Sequence, residues 1–187
     1  MKSLLTAAAV AVALVPAGLT AQAAAGAMPA PSTSPVADAF RRMEARAARD
    51  LTAAAETMPA DKYNYKPTAA QMSFKGVVVH LYEGNDYFCS VAAGSKAPER
   101  AKVDTATATK EQLIARLKET FQFCETTLAS LDDSKLNEML PFFGGRSVSR
   151  ASVLFITVGD WADHYSQWAN YLRLNGLLPP TARANNM

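Results

Sequence analysis

The chain has 187 residues, enough for one domain with a sizeable core, and nothing in its composition calls for two. Its 19 lysines and arginines against 17 acidic residues leave a net charge of +2. The two signs are interleaved, which excludes the basic footprint of a nucleic-acid or anionic-membrane binder.

The start of the chain, MKSLLTAAAVAVALVPAGLTAQAAAG, has a basic residue, an apolar run from Leu4 to Leu14, a Pro16 to Gly18 break and small residues at Ala21 and Ala23. This pattern is that of a secretory signal peptide over residues 1–23, and the apolar run is too short for a comfortable membrane span. The mature chain is therefore expected in a periplasm or outside the cell, without stable membrane insertion. Losing Lys2 with the leader takes the charge from +2 to +1. Residues 24–35 are small, polar or proline and read as a flexible leader, which leaves 36–187 for the folded domain.

Ser34-Pro35 opens a first helix that runs to about Thr57, with Val36, Phe40, Met43, Ala47, Leu51 and Ala54 along one face. Met58-Pro59 breaks it, and the loop that follows carries Tyr63, Tyr65 and Pro67 as a hydrophobic cover. A second helix begins near Ala69 or Ser73 and runs to about Ala92. Phe74, Val77, Val78, Leu81, Asn85, Phe88 and Ala92 form its stripe, and His80 stands beside it. A polar connection leads to Thr109, whose spacing to Gln112 predicts a capped third helix ending near Ser130. Residues 132–146 read as an irregular segment anchored by Leu136, Met139, Phe142 and Phe143.

The longest helical pattern comes last. It is capped by Ser147 or Ser149, carries Leu154, Val158, Trp161, Tyr165, Trp168 and Leu172 on one face, and stops at Asn175-Gly176 before Pro179-Pro180. Four amphipathic helices, no convincing strand run and no internal repeat predict an all-α four-helix bundle. Cys89 and Cys124, an even pair in an exported chain, predict a disulfide between two helices, with two buried free thiols as the alternative. There is no CxxC that would make it a redox site.

Bundles build metal sites from side chains on facing helices. The chain has two histidines; His80 lies on the second helix, and Asp160-x-x-x-His164 on the fourth places a carboxylate and an imidazole one turn apart. Two imidazoles and a carboxylate can hold a divalent ion with coordination positions left open. The same residues can equally form a hydrogen-bonded packing pair. Glu83, Asp163 and Arg173 are weaker candidates, for a base, a ligand and an anion contact respectively.

The stretches MSFKGVVVHLYEGNDYFC and VGDWADHYSQWANYLRLNGLLPP resemble the DinB family, the DinB/YfiT-like four-helix bundles. The resemblance covers roughly Phe40 to Pro180. It implies a histidine ligand at His80 and a ligand pair on the fourth helix, of which His164, followed by Tyr165, matches the second member. At the first position the family typically has histidine, and this chain has Asp160. Carried over, the resemblance implies a divalent ion (zinc, nickel, iron or manganese) and an activity on a small-molecule substrate, either hydrolysis or thiol or group transfer. A non-catalytic periplasmic binding bundle with a degenerate site is the alternative. A homodimer is compatible with the resemblance, although no surface stripe demands one.

Overall fold

The helices begin and end where the sequence supplies caps. The computed structural model describes residues 31–183, so the signal peptide and the leader up to residue 30 lie outside the described residues. Helix α1 spans Pro35–Thr57, α2 Phe74–Ala93, α3 Lys110–Leu128 and α4 Arg150–Leu174. Ser73 caps α2 by accepting a hydrogen bond from the Gly76 amide at 3.0 Å, and Ser149 caps α4 through the Ser152 amide at 3.2 Å. Thr109 and Gln112 form the full reciprocal capping box of α3. Gly94 ends α2 at φ 70, a left-handed position that suits glycine.

α1 starts differently. Ser34 makes no side-chain cap; the Asp133 carboxylate, almost a hundred positions downstream, instead accepts from the amides of Val36 at 3.0 Å and Ala37 at 2.8 Å. Ser34 Oγ in turn accepts from the Asp133 amide. The end of the expected flexible leader is thus pinned to the domain.

α1 packs against α3 and α4, and α2 packs against the same two helices. Each helix has two close helical neighbours, and the consecutive pair α1 and α2 sit diagonally. The stripe of α4 is the spine of the core: Leu154, Trp161, Trp168 and Leu172 are all buried, with Trp168 stacked on Phe74 at 4.5 Å. Tyr63 folds back as expected, buried with its hydroxyl donating to the Ala55 carbonyl at 2.7 Å.

Two expectations need correction. Val36 and Met43 are exposed, whereas Glu44 and Asp50 are buried, because contact with both α3 and α4 rotates the buried face of α1 onto Ala37, Phe40, Glu44 and Leu51. The segment before α4 is not irregular: Met139–Phe142 (β1) and Arg146–Ser149 (β2) pair as an antiparallel hairpin, with Phe142 opposite Arg146. Its turn uses Gly144 and Gly145, both at φ 69, and its buried side chains are Leu140 and Phe142. No described helix is long and apolar enough to cross a membrane.

Cys89 of α2 and Cys124 of α3 are joined in a disulfide. One turn before Cys89, the buried Asn85 ties three helices together: its carbonyl accepts from Trp161 Nε1 at 2.7 Å and its amide donates to Thr120 Oγ1 at 3.1 Å. Leucine at this position leaves the buried Trp161 N–H without a partner. Asn85→Leu should therefore cost about 2 kcal/mol in denaturant unfolding despite its greater apolarity. An equal or higher midpoint would show that the amide serves only to fill space.

Candidate metal centre

The two helices that face each other across one side of the bundle bring together the three predicted ligands. His80 stands seven residues into α2, and Asp160 and His164 stand one turn apart on α4. His80 Nε2 is 3.2 Å from Asp160 Oδ1, and His164 Nε2 is 3.5 Å from the same oxygen. The imidazole centroids are 4.6 Å apart at 67°. One donor atom from each residue lies within 4.8 Å of the others, so the three form a group that could hold a metal ion. The Asp160 and His164 side chains are 19% and 17% exposed, while that of His80 is 44% exposed, so the group opens to solvent on the α2 side.

The donor spacing can be tested against an ion. Metal bonds of about 2.0 to 2.1 Å in tetrahedral geometry separate donors by roughly 3.3 Å, which the 3.2 and 3.5 Å separations bracket. The His164 ring is also oriented for that role. Its Nδ1 lies 3.0 Å from Gln167 Oε1, which can only accept, so the proton sits on Nδ1 and Nε2 presents its lone pair toward Asp160. Gln167 Nε2 donates to the Tyr171 hydroxyl at 2.8 Å, and that hydroxyl donates to the Met72 carbonyl at 2.9 Å. The ring is thereby fixed to the backbone just before α2.

A lone pair aimed at a carboxylate needs a cation between them, either a proton or a metal ion. The electrostatics express the proton alternative. Burial works against the charge of Asp160, but the contacts with His164 and His80 outweigh it and hold the carboxyl below the ordinary aspartate range. Burial likewise works against the charge of His164, and Asp160 together with Gln167 raises it above the usual histidine value. Beside the group, Gly84 leaves the floor bare. A β-carbon there would meet Phe88 at 3.6 Å and Asp160 Oδ2 at 3.7 Å, so alanine fits and longer side chains press on the carboxylate.

The weaker candidates stay outside. Glu83 and Asp163 are exposed, Asp163 acting on His164 only through its charge. Arg173 donates to the Ala169 carbonyl at 3.3 Å in the last turn of α4. Tyr165 is half-buried with its hydroxyl donating to Thr181 at 2.8 Å, away from the three ligands. Gln167 and Tyr171 are functional neighbours that the sequence analysis does not single out; the signal for Gln167 is its i, i+3 spacing from His164.

The DinB superfamily matches the chain over residues 44–168, which include His80, Asp160 and His164. The chain belongs to the DinB superfamily. Among solved structures, a DinB-like protein of Bacillus subtilis is 21% identical with a TM-score of 0.62, the match covering 78% of this chain and 99% of that one. A DinB-like protein of Bacillus cereus is 13% identical, with a TM-score of 0.62 over 76% of this chain and 95% of its own. A conserved protein of Enterococcus faecalis is 16% identical, with a TM-score of 0.61 over 74% and 96%. At these identities the likeness is one of fold. No curated protein matches the chain. Asp160 is thus the carboxylate of the candidate group, at the position where the resembled family typically has histidine.

Proposed function

We propose that His80, Asp160 and His164 bind one divalent ion, zinc, nickel, iron or manganese, and that the protein is an exported metal-dependent hydrolase or thiol or group transferase acting on a small molecule. The observation that carries this reading is the aim of His164 Nε2, fixed by Gln167, at a point shared with His80 Nε2 and Asp160 Oδ1. A bound ion of this kind lowers the pKa of a coordinated water or thiol and so supplies a nucleophile near neutral pH. The protein's own contribution is separable from that chemistry. Gln167 holds the tautomer, Asp160 partly offsets the ion's charge, and three protein ligands leave coordination positions free. The half-exposed His80 side is the open approach. The disulfide supports export to an oxidising compartment, in keeping with the leader of residues 1–23.

A non-catalytic bundle is the second reading, and the 3.2 Å separation of His80 and Asp160, a hydrogen-bonding distance, favours it. Elemental analysis of tag-free protein purified without chelators separates the two. The metal reading expects close to one ion per chain, loss of stoichiometric metal in His164→Ala with the helical signal retained, and affinity about 10 to 100 times weaker in Gln167→Leu. No bound ion after incubation with all four metals would leave the hydrogen-bonded pair as the account.

A further inference from the structure

A groove lies along another face of α4. Val158, Trp161, Ala162 and Tyr165 recur at spacings of three and four and point roughly 130° around the helix from Asp160 and His164, at 100° per residue. Together with α1 they enclose a cavity of about 470 Å³. That volume is within the range of small-molecule sites.

The groove has an apolar floor and a basic rim. Met43 and Ala47 of α1 and Val158 and Tyr165 of α4 offer the accessible apolar surface, over the buried Leu51 and Trp161. Trp161 is buried beneath the groove with its indole N–H turned inward to Asn85, so no polar atom of it faces the trough. The charged lining residues are Arg42, Arg46 and Asp50. The Asp50 carboxylate is already held by Arg46 at 3.4 Å and by Arg49, outside the groove, at 3.1 Å. Arg42 has no carboxylate within ion-pair distance among the described residues, since its neighbour Asp38 is taken by Arg41 at 2.5 Å. The balance on the rim is therefore positive over an apolar trough, a surface complementary to an amphipathic anion.

We propose that this groove binds one medium-chain carboxylate, its hydrocarbon body over Met43, Ala47, Val158 and Tyr165 and its head group on Arg42 and Arg46. The site is separate from the metal group, and neither proposal depends on the other. Decanoate, below its micellar concentration, is the probe, with decanol as the uncharged control, in calorimetric titrations of the full mature chain. The expected result is one saturable decanoate site per chain, at least tenfold tighter than decanol. Arg42→Gln with Arg46→Gln should remove that tenfold preference and leave decanol binding unchanged. Ala162→Trp, a substitution at an exposed position, should fill the groove and abolish both while the melting profile stays that of the parent. Absence of decanoate binding at millimolar concentration, or binding indifferent to both sets of substitutions, overturns the proposal. So does a dimer in light scattering that decanoate fails to bind, because the groove's occupant is then a second copy of the chain.

Discussion

Replacing Cys89 and Cys124 together with alanine should lower the unfolding free energy by about 4 kcal/mol. The bridge closes a loop with a sequence separation of 35, and chain-entropy arguments for a loop of that length give about that value. Both half-cystines are fully buried, one on α2 and one on α3. The native protein should consequently resist mild reductant, and the loss should appear only when reduction is carried out on unfolded chains. Denaturant curves of the double variant and of wild type, with and without reductant present during unfolding, check both parts. A midpoint shift worth less than about 1 kcal/mol would mean that α2 and α3 are held by packing alone, with the bridge adding little to the stability of the bundle.

The helices carrying this bridge were legible because their ends are chemically marked. Ser73, Thr109 with Gln112, and Ser149 all cap as their residue types dictate. The hairpin was not legible, although Gly144-Gly145 announced its turn. Its strands are four residues each, and one contains Pro141, so neither offers enough alternation to register against the surrounding helical periodicity. The cap of α1 was hidden for a different reason: Asp133 reaches it from far along the chain, and no local pattern encodes such a contact.

The candidate site divides in the same way. His80, Asp160 and His164 could be read from the scarcity of histidine and from the one-turn spacing on α4, because those facts are local to a helix. That His80 lies across from that pair depends on α2 packing on α4, which only the fold supplies. The Gln167 to Tyr171 to Met72 relay joins α4 to the residues before α2 and is likewise tertiary. What it adds is direction: without it, three ligand types are merely near one another, and with it one lone pair has a defined aim.

The rotation of α1 that the sequence concealed leads to the second large effect. Glu44 faces inward, 5% exposed, with no hydrogen-bond partner among the described residues, and desolvation together with the charge of Glu125 pushes its carboxyl up to about 7. An unfolded glutamate titrates near 4.5. Because the folded value is the higher one, Glu44 is protonated and carries no charge penalty below about pH 4.5, and stability is lost as pH rises from there through 7. A shift of this size corresponds to roughly 3 kcal/mol once the carboxylate is fully ionised. Glutamine keeps the shape without the charge. Glu44→Gln should therefore match wild type at pH 4.5 and exceed it by roughly 3 kcal/mol at pH 8, measured as denaturant unfolding at the two pH values. Asp50, equally inward on α1 but paired with Arg46 and Arg49, is the internal control: Asp50→Asn should bring no such gain at pH 8. If wild type and Glu44→Gln keep the same separation at both pH values, the ionised carboxylate reaches water, and the penalty assigned to its burial does not exist.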